Sequence, residues 1–393
     1  MVAGYPLAAV LVSYTGVDTT AITVPYRVAV FSFALAISAS GLFFPLRGRP
    51  SVMLLLFFGL YLCRLLYDSY FADNEFAPDA LQFFIVATVI PTIAIALAIE
   101  SKFDERLFSS RLILMVAVSL LGLYALLYTG KVTIETFSRA SLAALNPISL
   151  GHLAATGVIA AAFIAFSRRS LFWIGTAILT AAISVPTLFA AGSRGPIVAM
   201  TAALIWLGAT DKRRALIIIP LLTVGFLLVP KDNFLFERLM GSFNGFDRSS
   251  LARFEIQTSA LADFVENPFL GKHFMDASFG EGSWPHNYFL ESAMAMGILG
   301  LAVSVTLVLS SFKAALSSVN QTNPLLTALL VQALVAAQLS GSLWGGDKLF
   351  ALVAAVLALG KINNSERCSH SCIDRGADIT AALTRKLPTK LQE

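Results

Sequence analysis

Long apolar segments alternate with short polar ones along most of the chain, and each apolar segment runs for about 15 to 25 residues. An apolar segment of that length crosses a bilayer as an α-helix, whereas a transmembrane barrel shows shorter segments of alternating polarity. The pattern therefore predicts an all-α, polytopic integral membrane protein with about twelve transmembrane helices. The predicted spans are residues 4–17, 22–45, 51–67, 80–99, 111–129, 148–166, 171–191, 196–210, 214–230, 287–312, 323–342 and 347–362.

The composition agrees with this pattern, because 57% of the 393 residues are hydrophobic and only 13% are charged. Such proportions exclude a soluble globular domain. We assign residues 1–362 to one transmembrane domain, which includes a long polar loop at 230–286, and residues 363–393 to a cytoplasmic tail of disordered composition. The start of the chain lacks the basic region of a signal peptide, so the first span is expected to remain.

The distribution of lysine and arginine predicts the orientation, since short basic connections are retained on the cytoplasmic side. With a cytoplasmic N-terminus, every second connection is basic and the loop at 230–286 faces outward. The net charge of +4 then reflects topology rather than nucleic-acid binding. The basic residues of the inside connections are Arg47, Arg49, Lys102, Arg106, Arg111, Arg168, Arg169, Lys212, Arg213, Arg214 and Lys313.

Arginines on the outward face oppose this topology signal, so each of them needs a reason to be there. Arg194 lies in a short turn directly before Gly195-Pro196, where a helix begins and its free backbone amides favour an anion. Contact with lipid headgroups fits the same spacing equally well. The other outward arginines are Arg64, Arg139, Arg248 and Arg253.

Within the polar loop, the segment from Ser249 to Glu266 has helical periodicity and ends at Asn267-Pro268. Arg253 and Gln257 are one turn apart on this predicted helix and share one side, so they are placed to point together at a bound polar group. The alternative is an ordinary solvated charged face.

His286 begins the next span, on a face that continues through Gly297 and Gly300, small residues that permit close approach. An imidazole that titrates near neutral pH is able to accept a proton from a hydroxyl group. The alternative is a structural histidine that caps the span. Glu291, one turn deeper, is a second intramembrane ionisable group and is expected to pair with one of the arginines.

The remaining motifs carry little chemistry. Cys63 lies within a span and is expected to pack there, while Cys368, His370 and Cys372 in the tail offer too few ligands for a zinc site. The chain contains no Walker loop, Gly-rich dinucleotide turn or zinc-protease motif, so ATP-driven transport and zinc proteolysis have no support. The sequence predicts no metal site and no cofactor.

Four short motifs occur in the same order as in one known family, and together they cover about residues 139 to 345. With them, the chain resembles the O-antigen ligase and O-antigen polymerase superfamily of bacterial envelope glycosyltransferases. The motifs are Arg139 with Asn146-Pro147, the turn Ser193-Arg194-Gly195, Arg253 followed by Asn267-Pro268-x-x-Gly271, and His286-Asn287 followed after nine residues by Gly297 and after two more by Gly300.

The resemblance implies a GT-C-like, multi-pass glycosyltransferase of the bacterial inner membrane whose site faces the periplasm. Its donor would be a glycan linked to undecaprenyl diphosphate. Its acceptor would be a sugar of lipid A-core if the chain is a ligase, or another lipid-linked repeat unit if it is a polymerase. Membrane lipids are the remaining expected partners, and nucleic acid is not expected. The His-Asn pattern favours the ligase.

The resemblance also implies roles for individual residues. Arg194 and Arg253 would neutralise the leaving diphosphate without a divalent metal, because guanidinium groups bind phosphate oxygens in bidentate fashion. His286 would orient or deprotonate the acceptor hydroxyl, giving displacement with inversion. Arg64 has the alternative of pairing with Asp68. The residues expected to bind substrate are Arg139, Arg248, Gln257, Asn287 and Arg64.

A secondary transporter or flippase for an anionic amphiphile is the alternative from another class, with the outward arginines as its substrate site. Such a protein is expected to show related halves or broken midplane helices that carry charges. The sequence shows neither feature, and its spans contain almost no charge. The glycosyltransferase hypothesis is therefore preferred.

Overall fold

The computed structural model describes residues 4–15, 20–43, 50–72, 74–99, 103–130, 133–135, 139–141, 145–211, 213–216, 218, 248–280, 284–319 and 323–360. The helices are α1 Gly4–Thr15, α2 Thr20–Phe43, α3 Val52–Tyr70, α4 Ala77–Phe83, α5 Ile90–Ala98, α6 Glu105–Tyr128, α7 Pro147–Ser167, α8 Leu171–Ala190, α9 Arg194–Ala209, α10 Arg248–Glu266, α11 Tyr288–Val319, α12 Pro324–Ala337 and α13 at 347–360. The short elements are a π-helical turn Phe84–Val89, a 3-10 turn Ala277–Phe279 and an antiparallel pair of strands, β1 Thr133–Glu135 and β2 Arg139–Ser141.

The helices confirm the predicted all-α, polytopic class. Six of the described helical stretches are long and apolar enough to cross a membrane. The twelve residues of α1 rise only about 18 Å, which is shorter than a hydrocarbon core of about 30 Å. The number of spans therefore stays a prediction. Most of the span predicted at 214–230 and the whole tail at 363–393 lie outside the described residues.

Local sequence explains where several helices begin and bend. Asn146 precedes α7 and its side chain accepts the backbone N–H of Ser149 at 2.8 Å, while Pro147 occupies the first helical position, where no N–H is needed. Pro91 removes one N–H from the helical ladder and its ring excludes the carbonyl four residues earlier. The chain accommodates it with the π-helical turn that joins α4 to α5.

One end of the bundle gathers the connections that were predicted to lie inside. Arg168, after α7, donates to the carbonyl of Arg106 at 2.7 Å and to Ser110 Oγ at 2.9 Å. At the same end, a carboxylate oxygen of Glu105 accepts the N–H of Leu325 at 2.8 Å. Three of the connections predicted to lie inside therefore meet at one end of the described helices.

At the other end, Arg64 in α3 holds the segment that follows α10, and we call this set of contacts the Arg64 clamp. Its guanidinium pairs with Asp68 at 3.2 Å, and Asp68 in turn accepts the N–H of Phe274 at 2.7 Å. The other described hydrogen bonds of the guanidinium all go to backbone carbonyls. These belong to Leu270 at 2.7 Å, Gly271 at 3.0 Å, Lys272 at 3.1 Å and Ala295 at 2.7 Å.

The Arg64 clamp fastens this segment to a kink in α11. Gly297 has φ 65° and ψ −157°, a conformation that interrupts the helix and favours glycine. The N–H of Ile298 then donates to the carbonyl of Pro268 at 2.7 Å, and a Cβ on Gly297 would collide with the backbone of Phe269. Gly271 is equally close to the backbone of Ala295. Close approach at Gly297 was expected between helices, but the partner is this loop segment.

Candidate active site

A three-residue segment after α12, Leu339 to Gly341, brings together the residues for which catalytic roles were predicted. The guanidinium of Arg253 donates to the carbonyl of Leu339 at 2.9 Å. The Nδ1 atom of His286 lies 3.2 Å from the carbonyl of Gly341. Gly195, directly after Arg194, packs beside the same segment. We call these three residues the 339–341 segment, and no sequence pattern had pointed to them.

Helix α10 presents one face to this site, as the spacing of Arg253 and Gln257 had predicted. Ser250 accepts a hydrogen bond from Arg194 at 3.1 Å. One turn further on, Arg253 reaches the 339–341 segment, and after another turn Gln257 donates to the carbonyl of Pro285 at 3.0 Å. The helix that was predicted from Ser249 to Glu266 thus exists and links the Arg194 turn to the residue directly before His286.

His286 has an unusual backbone. Its φ of 52° is the only positive value among the described residues other than glycine. Histidine is one of the residues that occupy the left-handed region more often than most, but such conformations are uncommon and mark places where the surroundings fix the chain. The ring meets Trp284 edge-on, with centroids 6.3 Å apart, and Trp284 packs in the same way on Trp344 at 5.5 Å.

The surroundings also decide the protonation of His286. Burial, and secondly the positive charge of Arg253, lower the pKa of its imidazole from 6.5 to about 4, although the contact with Gly341 acts in the opposite direction. The ring is therefore neutral at pH 7. This differs from the prediction from sequence, which was an imidazole that titrates near neutral pH. Because a carbonyl only accepts hydrogen bonds, the neutral ring that bonds Gly341 carries its proton on Nδ1. Its Nε2 atom then holds a lone pair.

Asn287 and Glu291 support this arrangement from α11. The side-chain oxygen of Asn287 accepts the N–H groups of Phe289 at 3.1 Å and Leu290 at 3.0 Å, so Asn287 caps the helix. Glu291 is buried and was expected to pair with an arginine. It accepts the backbone N–H of Leu343 at 2.7 Å instead, and thereby fixes the loop that continues the 339–341 segment.

The other residues predicted to bind substrate have different positions. The guanidinium of Arg64 is occupied by Asp68 and four carbonyls, which matches the structural alternative for this residue. Arg139 lies in β2 opposite Glu135, and Arg248 is the first residue of α10. The side chains of Arg139 and Arg248 lie outside the described part of the structure, so their roles stay predictions.

A cavity of about 480 Å³ lies beside His286, and its wall contains charged or histidine side chains of four helices, α2, α7, α11 and α13. Lys348 of α13 donates to Thr156 Oγ1 at 3.1 Å and to Gln332 Oε1 at 3.2 Å. These two hydrogen bonds fix the position of its ammonium group. Sequence reasoning missed this cluster because it treated the spans as nearly free of charge. The rule that an ionisable residue within a span marks a functional site would have found it. The ionisable residues on this wall, besides His286 and Glu291, are Arg27, His152, Asp347 and Lys348.

Asp263, His273 and Asp276 form a second group with potential ligand atoms, all within 4.8 Å of one another. Both oxygens of Asp263 are engaged, one by Lys272 Nζ at 2.7 Å and the other by His273 Nε2 at 2.8 Å. The hydrogen bonds to Asp263 and Glu266 raise the pKa of Lys272, which keeps its ammonium charged. An ammonium already balances this carboxylate, so the donor set fits an ion-pair network better than a metal centre.

Two comparisons with known proteins both find similarity to O-antigen ligases. Residues 179–305 match a family model described as O-Antigen ligase, and this range contains Arg194, Arg253, His286 and the Gly297 kink. The chain is also 31% identical, over 175 residues, to a protein named O-antigen ligase from Pseudomonas aeruginosa. That match covers 42% of this chain and 41% of the relative. The family match and this relative both support the resemblance to the O-antigen ligase superfamily, over the middle part of the chain.

Proposed function

We propose that this protein is an O-antigen ligase-type glycosyltransferase, which transfers a glycan from undecaprenyl diphosphate to a sugar hydroxyl of lipid A-core at the periplasmic face of the inner membrane. The observation that carries the proposal is the convergence on the 339–341 segment. Arg253 and His286 are 33 residues apart in sequence, yet their side chains are held by carbonyls two residues apart. This arrangement places a permanent cation beside a neutral imidazole.

Arg194 and Arg253 are suited to the diphosphate of the donor. A guanidinium stays charged at any physiological pH and offers a planar set of donors that matches two phosphate oxygens. Both arginines lie at the same end of the bundle, and Ser250 and Arg253 on one face of α10 connect them. Fixed positive charge of this kind stabilises a leaving diphosphate without a metal ion.

His286 supplies the base. Its unprotonated Nε2 accepts the proton of the acceptor hydroxyl while that oxygen attacks the anomeric carbon of the donor sugar. The bond from the anomeric carbon to the phosphate oxygen breaks, and its electron pair leaves on undecaprenyl diphosphate. Attack and departure on opposite sides of the carbon invert its configuration.

Donor binding also raises the basicity of His286 in this mechanism. The charge of Arg253 is one of the two causes that hold the pKa of the imidazole at about 4. A diphosphate bound beside Arg253 offsets that charge, so the pKa of His286 rises when the donor is in place. The base then becomes strongest when the leaving group is already bound.

A transfer assay with purified protein tests the proposal. Undecaprenyl-diphosphate oligosaccharide is supplied in detergent with EDTA, together with lipid A-core in one reaction and a second lipid-linked repeat unit in another. The ligase hypothesis predicts product only with lipid A-core, at a rate that EDTA does not change. Product only with the second repeat unit identifies a polymerase, and no product with either acceptor contradicts the proposal.

One observation favours a transporter as a second candidate. The cluster of Arg27, His152, Asp347 and Lys348 puts charge within the spans, which the sequence had been taken to lack. A transporter would move the intact lipid-linked glycan between the leaflets of a proteoliposome without forming a glycosidic bond. Measuring both movement and transfer on the same preparation separates the two functions.

A further inference from the structure

We propose that the cavity beneath His286 binds the sugar ring that presents the acceptor hydroxyl, and that Lys348, His152 and Asp347 select this ring. The inference rests on the proposed glycosyltransferase function and adds a specificity site to it. The volume of about 480 Å³ lies within the range of about 300–1,000 Å³ that is usual for small-molecule sites. His286 stands in the wall of the cavity, so a ring within it can bring one hydroxyl to the imidazole.

The chemistry of the wall fits a polyhydroxylated ring. Sugar hydroxyls both donate and accept hydrogen bonds, and the wall offers an ammonium, a carboxylate and an imidazole side by side. Aromatic side chains complete the wall and suit the apolar faces of a pyranose. The aromatic residues are Tyr5, Tyr26, Phe83, Trp284, Tyr288 and Phe350.

Other parts of the substrates fit this cavity less well. A polyprenyl chain offers no hydrogen-bonding group to the ammonium of Lys348 or the carboxylate of Asp347, so it would desolvate both without compensation. A diphosphate would face the carboxylates of Asp347 and Glu291 in addition to its cations. Arg194 and Arg253 do not belong to the wall, which leaves the diphosphate on their side of His286 and the cavity for the acceptor.

Two features show that the cavity is organised for a ligand. Lys348 has three N–H donors, of which Thr156 and Gln332 occupy two, so its position is fixed, and its third donor has no acceptor among the described residues. Trp284 lies in the wall, and its buried Nε1–H has no hydrogen-bond acceptor in the described ranges. A buried donor without an acceptor is costly in a protein alone and is satisfied by a hydroxyl of a bound sugar.

The cavity is also connected to the catalytic segment. His152 Nε2 lies 3.4 Å from Ser340 Oγ, and Ser340 precedes the residue whose carbonyl holds His286. A sugar that forms hydrogen bonds with His152 and Lys348 is therefore recognised by residues connected, through Ser340 and Gly341, to His286. Selection of the acceptor and orientation of its hydroxyl then occur in one place.

Steady-state kinetics with Lys348→Met tests the inference. We expect the KM for the acceptor to rise about 10- to 100-fold, since one charged hydrogen bond to the sugar is lost, while the KM for the donor stays within about twofold of wild type. Acceptors that lack one hydroxyl at a time sharpen the test. The wild type should discriminate against one of these analogues, and Lys348→Met should accept it as readily as the parent sugar. Lys313→Met, an exposed lysine of α11, is the matched control.

Lys348 also contacts two other helices, so its replacement can lower stability. Thermal unfolding in detergent monitors this effect, and Arg27→Gln, on the opposite wall, gives a second variant that breaks no described hydrogen bond. A rise in donor KM without a change in acceptor KM overturns the inference, and so do unchanged acceptor kinetics in both folded variants. Failure of the wild type to transfer glycan to any acceptor would instead contradict the proposed function.

Discussion

Arg64 and Arg253 lie at the same end of the bundle and were assigned related roles from sequence, but their surroundings differ. The side chain of Arg64 is 11% exposed, pairs with the fully buried Asp68 and bonds four backbone carbonyls. Arg253 reaches the 339–341 segment, which also holds the candidate base. An arginine that the sequence places on the outward face therefore does not by itself indicate a substrate site. The contacts of Arg64 make it a structural clamp, whereas the catalytic role of Arg253 is a proposal.

The difference has a physical basis. A buried guanidinium must satisfy five N–H donors, and the Arg64 clamp does so with the loop segment 270–272 and α11. The two regions therefore predict opposite results of mutation: loss of stability at the Arg64 clamp, and loss of catalysis at the 339–341 segment.

The largest effect is expected at His286. His286→Asn keeps a residue that tolerates the left-handed backbone but removes the base, so transfer should fall by about 10²- to 10⁴-fold. The thermal unfolding temperature should change little. His273→Asn, which replaces the imidazole paired with Asp263, is the matched control and should retain most activity. Transfer that survives in His286→Asn at the wild-type rate would exclude a base at this position.

The next largest effect is expected in the Arg64 clamp. Arg64→Ala leaves the buried carboxylate of Asp68 without its cation, which typically costs about 3–5 kcal/mol. Thermal unfolding in detergent should show a lower midpoint and a lower yield of folded protein. Arg168→Ala, at the opposite end of the bundle, removes an arginine whose described hydrogen bonds go to a carbonyl and a hydroxyl, and serves as the comparison. If Arg64→Ala keeps wild-type stability but loses transfer activity, Arg64 binds substrate and is not a structural clamp.

Arg253→Ala should lower kcat by about 10²- to 10³-fold, because a fixed cation that stabilises the leaving group is lost. Lysine keeps the charge but loses the planar fork, so Arg253→Lys should recover only part of the activity. The unfolding temperature of both variants should remain near that of the wild type. Glu255→Ala, on the exposed side of α10, controls for changes in the helix itself. Equal activity of the alanine and lysine variants would argue against a role for the charge.

The smallest effect is expected in the pH dependence of kcat/KM. Since the neutral imidazole is the active form, kcat/KM should be constant above about pH 5 and fall as pH decreases through the pKa of about 4. Arg253→Ala removes one cause of that low pKa, so its profile should begin to fall at a higher pH. The profile of kcat, measured with donor bound, should shift in the same direction. A profile that is unchanged in Arg253→Ala would show that the two side chains are not coupled.

The same pKa also makes stability depend on pH. The imidazole of His286 binds a proton less readily in the folded protein, where its pKa is about 4, than in the unfolded chain, where it is 6.5. The unfolded state therefore takes up more protons between these values. This contribution to stability is complete above pH 6.5 and is lost as pH falls towards 4. His286→Asn should weaken that dependence.

Features encoded over a few neighbouring residues were predictable. The apolar spans, the Asn146-Pro147 start of α7 and the helix that contains Arg253 depend on local periodicity and capping, which short stretches of sequence express. The 339–341 segment was not predictable, because it contributes carbonyl oxygens and every residue has one. The partner of Glu291 was missed for the same reason: it is the backbone amide of Leu343.

The sequence by itself determined the class of protein, the long apolar helices of the described ranges and the order of motifs that relates it to O-antigen ligases, since apolar length and motif spacing are properties of the linear chain. Only the tertiary structure decided which arginine serves as a clamp, how His286 is held neutral and where the charged cavity lies. Those properties depend on burial and on backbone contacts between residues that are distant in sequence, and no short stretch of the chain records them.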